Sequence, residues 1–600
     1  MRKILFFSTV LASVSAPAWA QKGPGEEAIV VLATGTDTPI ADTGKAITII
    51  DRDEIESVQG ADITRVLERV PGISINRNGG VGAVTGVRIR GSDNDQVLTM
   101  IDGVRVADPS AVGNGYDLTN LLPGAVERIE VLRGANSTIW GSSAVGGVIL
   151  ITTAQDQTGA EASIEYGSRD TLYLTGRASY AGERFGLTAY GSWFENEGFS
   201  ALASGSEKDG FEQVAFGANG RFAITDTLTL RAGGRYADGT VEIDNFGDTE
   251  DTQDTEQYSG HASLDYAGDG LEVSGTFSFA DTHRLSTSAF GPFIGDGNLN
   301  RADLRAVIDL GEPLTLHTGG YYEWTSYTTN YGGDAGMERR GGYAQLSLAT
   351  GGLALAGGVR LDDGSLFGSE VSFGADASYA ISDEARLHAS YGEGYRAPSL
   401  YQLYDGFSGN PELAPEDSQN YDIGVEFGQR GGLFLFDVTL FQRDIDNQIE
   451  YDSTSFRYFN TESVRARGVE MEATLHPTPR LALLAAYTVL DTQLRAGPNS
   501  CNEQGRRPGT ALTLSADWQT PLAGLTLGGD LRAVSDSFDT NANLVRLDPY
   551  EVVTLRASVP VGERLEVFGR IENVLDEDYQ TAAGYNTPGR GVFGGLRAKL

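Results

Sequence analysis

The sequence predicts a membrane all-β protein: a 22-stranded antiparallel transmembrane β-barrel with an N-terminal α/β plug domain in its lumen. Three observations lead there. The chain opens with an export signal. From near residue 155 it runs in segments of about ten residues that alternate apolar and polar side chains. Tight turns and long polar connections take turns between those segments, an asymmetry that suits a barrel with one short-looped and one long-looped end.

Arg2 and Lys3 form a basic start, Ile4 to Val14 an apolar centre, and Ala18-Trp19-Ala20 a small-residue cleavage site before Gln21. This is a secretory signal over 1–20, too short for a membrane-spanning helix. No later stretch reaches the roughly 18 apolar residues that such a helix needs. The single cysteine, Cys501, excludes an intrachain disulfide in spite of the oxidising destination. A formal net charge of -37 argues against nucleic-acid phosphates and suits an acidic surface that is solvated or gathers divalent cations.

Between residues 41 and 154 short mixed segments read as a compact α/β unit. "DITRVLERVPGI" predicts a helix capped by Asp62, with Ile63, Val66, Leu67 and Val70 on one face and Pro71-Gly72 as its stop. "VRIRG", "QVLTMIDGVRV", "VERIEVLRG" and "GGVILITT" read as short strands. Two glycine-rich stretches, Asn76 to Gly86 and Ala107 to Asp117, lack the lysine of a phosphate loop and read as loop tips that approach a ligand.

Residues 155–600 carry the alternation. Leu172, Leu174, Ala178 and Tyr180 share one face; Thr171, Thr175, Arg177 and Ser179 share the other. Phe185, Leu187, Ala189 and Trp193 follow after a turn, and Val592, Leu596, Ala598 and Leu600 close the chain. "ADGTVEIDNFGDTEDTQDTEQ" reads as a long polar loop. One strand plus connection per roughly 20 residues gives on the order of 22 strands. A soluble all-β repeat would share the alternation, but no fixed-period motif is visible. So wide a lumen leaks unless filled, and the α/β unit is the economical filling.

One strip stands apart. Glu27 to Leu32, "EAIVVL", is β-prone, lies within 21–40, and has no partner nearby in sequence. Together with "VRIRGSDNDQVLTMIDGVRV", "VERIEVLRGANSTIWGSSAVGGVILITT", "GYRAPSLYQLY", "GNPELAPEDSQNYDIGVEFG", "RARGVEMEATL" and "ENVLDEDYQTAAGYNTPGRGVFGGLRAKL", it resembles the successive signatures of TonB-dependent outer-membrane receptors, in the family's order along nearly the whole mature chain. The resemblance implies active uptake of a scarce, bulky nutrient across the outer membrane of a Gram-negative bacterium by a monomer embedded in outer-membrane lipid. Glu27, Ala28, Ile29, Val30, Val31 and Leu32 would be the TonB box, a mobile strip that adds as a strand to TonB, the inner-membrane energy-coupling protein. Arg90 and Arg133 match plug arginines that face barrel carboxylates, here Asp422 and Glu470; Asp422 stands where Glu is common.

Within the family the wording is most similar to the cobalamin receptor branch. That implies a corrinoid resting on Val84, Gly86 and Asp93 of the first tip and Ala111 and Val112 of the second, with Arg506 on the barrel side. It also implies calcium in the extracellular loops, with Glu207, Asp209, Asp238 and Asp244 as ligands; a plain solvated acidic loop is the competing reading. A ferric-siderophore, haem or oligosaccharide receptor would use the same scaffold. A passive porin is the alternative of another class, but it needs no plug. No H-E-x-x-H or G-x-S-x-G is present and the five histidines are scattered, so neither an enzyme nor a catalytic cofactor is expected. Leu600 departs from the aromatic end usual in these barrels.

Overall fold

A computed structural model describes residues 28–154, 157–244, 247, 249, 251–452, 455–461 and 463–600. The export signal and Glu27 lie outside the described residues. No helix among the described residues is long and apolar enough to cross a membrane; the wall is made of strands.

Twenty-two antiparallel strands close on themselves, from Gly159–Gly167 to Gly591–Lys599, which pair from Glu161 with Lys599 to Gly167 with Phe593. Leu600 continues the seam: its N–H donates to the Ala160 carbonyl (2.8 Å) and its carbonyl accepts from the Ala160 N–H (3.2 Å). The alternation becomes the two faces of the wall. Tyr180, Phe185, Leu187 and Trp193 are exposed outward, while Arg177 and Ser179 are buried toward the lumen. Strand length runs from 8 to 18 residues. A bilayer needs about 9–11, so the longer strands overshoot it.

Overshoot explains one departure from the sequence-based expectation. Residues 237–243 and 251–257 of that predicted loop are strand. Leu228–Ile243 pairs with Asp251–Gly268 along their length, leaving only a short connection. Beyond the membrane the outer face of a strand meets water instead of lipid, so Thr240, Glu242, Thr252 and Asp254 are tolerated on it, while Ala237, Val241, Asp251 and Thr255 are buried on the inner face; polar residues on both faces hide the period-two signal.

One end of the barrel has short turns, such as 182–184, 269–270 and 351–352. The other carries deep connections at 397–415, 447–462, 495–509, 535–549 and 573–590. The short-turn end is periplasmic and the long-looped end extracellular.

The lumen holds a five-stranded mixed sheet: Ala46–Asp51, Arg128–Arg133, Gly147–Thr152, Val97–Ile101 and Val104–Arg105, in that order, with the third and fourth parallel. Helices Arg52–Val58 and Thr64–Leu67 cover one face, burying Ile55, Val58, Ile63, Val66, Leu67 and Val70 against Ile129, Val131, Ile149 and Ile151. The α-helix predicted over 62–70 is one turn long, followed by tight turns to Val70. Asp62 still caps it, accepting from the Thr64 N–H at 3.1 Å. The plug chain runs hard against the wall at Gly44, where a β-carbon would sit 2.2 Å from the Ala389 carbonyl oxygen.

Candidate functional site

The N-terminal strip sits at the periplasmic end, where Arg386 donates to the Ile40 and Thr43 carbonyls (both 2.9 Å). It is docked on the plug. Only Ile29–Val30 is extended, paired antiparallel with Thr38–Pro39. The Val31 and Leu32 N–H groups donate to the Glu130 carboxylate (2.9 and 3.3 Å), and the Leu32 carbonyl accepts from the Trp140 indole (2.9 Å) and Asn136 (3.0 Å). Val30 and Leu32 are fully buried among Leu98, Leu132, Trp140 and Val148. The strip therefore has internal partners: Thr38–Pro39, close in sequence contrary to the expectation, for the backbone of Ile29–Val30, and residues about 100 positions away for Val31, Leu32 and the apolar side chains. Ala28 and Ile29 lie at its more open end.

The plug is latched to the wall midway. The Arg90 guanidinium donates to Asp422 (2.6 Å) and, in a bidentate pair, to Glu470 (2.8 and 2.9 Å), and stacks over Phe441 at 4.7 Å. Arg133 donates to Glu470 (3.1 Å) and approaches Glu472 at 3.5 Å. The shorter reach of Asp422 suffices because Ser390 donates to its other oxygen at 2.9 Å and fixes it. Gly72 makes room: its φ is +82°, its N–H donates to Thr488 Oγ1 (2.6 Å), and a β-carbon there would lie 2.1 Å from Glu470 Oε1. A second cluster carries no sequence signal. Plug Arg105 approaches Glu323 at 3.5 Å, beside the wall's own Arg301 (2.9 Å) and Arg339.

At the extracellular end the two plug tips stand side by side. Val84 and Val112 are the exposed points, at 55 and 58 %. Gly86 lies on the strand Thr85–Ile89 below the first point, and Ala111 flanks the second. A β-carbon on Gly113 would lie 2.4 Å from Asp95 Oδ2, so the second tip packs on the turn Asn94–Gln96.

Asp93 is committed below the surface. Gln448 (2.9 Å) and Arg507 (2.5 Å) both donate to it. Burial would raise its carboxyl, but Arg507 and Arg88 outweigh that and bring it down to about 2. Burial, opposed by Arg396 and reinforced by Glu416 and Asp93, pushes Asp95 up to about 7. Arg506 turns away from the plug to Asp539 (2.8 Å); its neighbour Arg507 is the residue that touches the plug, donating also to the Gly91 and Ser92 carbonyls. Of the other arginines here, Arg396 is paired with Glu416 (2.6 Å) and Arg284 with Asp108, whereas Arg88 approaches Asp93 only to 3.7 Å and its Nε and Nη1 make no hydrogen bond.

In the loops above the strands, Glu207, Asp209 and Asp244 each offer a carboxylate oxygen within 4.8 Å of the others. Glu207 Oε1 and Asp209 Oδ1 are buried and accept no hydrogen bond. Burial and the adjacent Asp244 carboxylate push Asp209 up to about 6. Asp238 does not join them: strand parity turns it outward on Leu228–Ile243, next to Tyr236.

Residues 39–148 match the model of the TonB-dependent receptor plug domain, and residues 138–574 match that of the TonB-dependent receptor-like β-barrel. The chain belongs to the TonB-dependent receptor family, and its barrel is an outer-membrane barrel. Several solved structures share the fold. A ferric enterobactin receptor (PfeA) mutant of Pseudomonas aeruginosa, in complex with enterobactin, is 17 % identical with a TM-score of 0.78, covering 92 % of this chain and 99 % of that one. The siderophore receptor PiuA of Acinetobacter baumannii is 17 % identical, with a TM-score of 0.79 and coverage of 94 and 98 %. PirA of the same organism is 15 % identical, with a TM-score of 0.77 and coverage of 92 and 98 %.

Proposed function

We propose that this receptor takes up a corrinoid of the cobalamin class. The observation that carries the reading is the chemistry of the plug tips. Their exposed points are the apolar Val84 and Val112, and the nearby Arg284, Arg396, Arg506 and Arg507 each face a carboxylate. Such a floor suits a large ligand with an apolar face and uncharged amide edges. An anionic ferric chelate calls for free cations. That second reading is favoured by the fold neighbours named as siderophore receptors.

Calcium fits the loop carboxylates. It takes six to eight oxygens, and the orphaned oxygens of Glu207 and Asp209, with Asp244, supply an anionic start to such a shell. Glu207, Asp209 and Asp244 would hold the ion, which would neutralise their repulsion and tie 200–208 to Asp244. Asp238 is left out of the set.

Residues 27–32 act as the TonB box. Pulled from its dock by a TonB-like partner, the strip frees the N–H and C=O groups now held by Glu130, Asn136 and Trp140 for strand addition, which requires the bend at Val31–Leu32 to straighten. Movement transmitted to the plug then releases the ligand inward.

Equilibrium binding to the detergent-purified mature chain tests the ligand. Cyanocobalamin should bind tightly with calcium and more weakly with a chelator, and ferric enterobactin should not compete. Ferric enterobactin binding without cyanocobalamin binding would transfer the assignment to iron chelates. Leu32→Pro should leave binding intact and abolish uptake; unimpaired uptake would remove the strip from the coupling step.

A further inference from the structure

We propose that a cavity at the periplasmic mouth, beside the N-terminal strip, receives a lysine or arginine side chain of the strand-adding partner. This rests on residues 27–32 being the TonB box, and it gives the partner its first foothold. The strip cannot recruit that partner alone. Its Val31 and Leu32 N–H groups are held by Glu130, and Val30 and Leu32 are fully buried. Strand addition needs free backbone groups, so a contact elsewhere must come before the strip is drawn out.

The turn that follows the strip forms one side of a cavity of about 220 Å³, and the inner face of the barrel wall forms the other. Thr36 and Asp37 of the turn border it, with Asp42 just beyond. The wall supplies two cross-strand rows, Glu272–Val307–His317 and Thr315–Ser347–Ala356–Asp376. Asp37, Asp42 and Glu272 are exposed, whereas His317 is only 8 % exposed, so carboxylates border the open side and the imidazole closes the far side.

The site offers acceptors and no cation. Among the described residues no hydrogen-bond donor or cation pairs with the carboxylates of Asp37, Asp42 or Glu272. Asp376 is engaged, accepting from the Gly44 N–H (2.7 Å) and Thr43 Oγ1 (3.2 Å), with Lys45 at 3.8 Å. Ser347 Oγ is buried without a hydrogen bond. With His317 Nδ1 donating to Thr36 Oγ1 (3.4 Å), its Nε2 is left as an acceptor. Cations around the turn are committed to backbone carbonyls: Lys45 to Ala33 (2.9 Å), Arg386 to Ile40 and Thr43 (both 2.9 Å), Arg305 to Gly35 (3.4 Å). Unmatched acids around a recess attract a cationic side chain and repel an acidic one. Seated there, it would touch the turn between the paired segments Ile29–Val30 and Thr38–Pro39, beside the strip it is to free.

The periplasmic domain of the host's TonB, binding to the mature full-length chain in detergent, provides the test. Asp37→Asn, Asp42→Asn and Glu272→Gln combined should slow its association about tenfold at low salt and flatten the salt dependence. Glu183→Gln, Asp226→Asn and Asp383→Asn, the same charge change on turns outside the cavity lining, should leave the rate unchanged. A photoreactive benzophenone side chain in place of Ala349, exposed at the cavity, should cross-link to a partner peptide that carries lysine or arginine. Unchanged association in the first triple variant, an equal loss in the second, or no cross-link to such a peptide would overturn the proposal. The cross-link is made on a chain with all its acids intact, so it decides the matter should the variants fail to fold. Leu32→Pro should speed dissociation and leave the association rate as it was. Normal dissociation and normal uptake in Leu32→Pro would remove the strip as the TonB box, whereas failure of the cavity variants alone leaves that box in place.

Discussion

Of the charged clusters that tie the plug to the wall, two are built on different logic. Around Asp422, Glu470 and Glu472 the wall supplies the acids and the plug supplies the guanidiniums, Arg90 and Arg133. Around Glu323 the wall supplies both signs, and Arg105 of the plug is a third cation on an acid already held by Arg301 and Arg339. If the plug departs, the second cluster stays neutralised while the first is left as clustered, mutually repelling carboxylates without a counter-charge. The first therefore draws the plug back; the second only helps to index its position. The loop acids Glu207, Asp209 and Asp244 represent a third case, with the cation taken from solution.

The widest gap between these cases should appear on removing the latch. Arg90→Met is expected to destabilise the plug by about 3–5 kcal/mol, because it strands buried charge; the urea midpoint of a label on the plug reads this while the barrel stays folded. Adding Glu470→Gln should recover part of the loss, giving a coupling of about 0.5–3 kcal/mol in a double-mutant cycle. Arg105→Met should cost only about 1–2 kcal/mol by the same label, since Glu323 keeps two partners. Equal losses at Arg90 and Arg105 would erase the distinction.

The third case is sharpened by pH. With Asp209 raised to about 6, calcium affinity should fall as pH drops through that value, followed by calorimetric titration. The linkage without calcium has the opposite sense. The folded carboxyl binds a proton more readily than the unfolded one, so the ion-free loops should gain stability from pH 7 down toward about 4. Smallest of all, Glu130→Gln should weaken the docking of the strip by about 0.5–1.5 kcal/mol, seen as greater mobility of a spin label at Ile29.

How much of this was legible in the sequence depends on distance and on solvent. The wall was, because lipid and lumen impose opposite chemistry on alternate residues, as at Tyr180 and Ser179. It ceased to be legible at 237–257, where the outer face meets water instead of lipid and polar residues stand on both faces. The strand Ala46–Asp51 and the helix Arg52–Val58 escaped notice. "AITIID" is largely buried and lacks alternation, and seven residues are too few to establish a helical period. Only the capping of Glu54 N–H by Asp51 marks the helix start. Arg90 and Asp422 lie 332 positions apart, so likeness to a family could suggest the pair but periodicity could not. Glu323 and Glu472 look like any other lumen-facing acid. Of two adjacent arginines, the chain's turn at Arg506, with φ of +58°, sends Arg507 to the plug.

The seam where the barrel closes has a consequence for how the protein is made. Glu161 of the first strand and Arg597 and Lys599 of the last are joined there by two plug residues: Arg52 reaches Glu161 (3.0 Å), and Glu56 reaches Lys599 (2.7 Å) and Arg597 (3.5 Å). The last strand to be synthesised thus meets a charge pattern completed by a helix made long before it. The domain that stoppers the pore is also a clasp for the cylinder around it, and biogenesis and gating draw on the same few side chains.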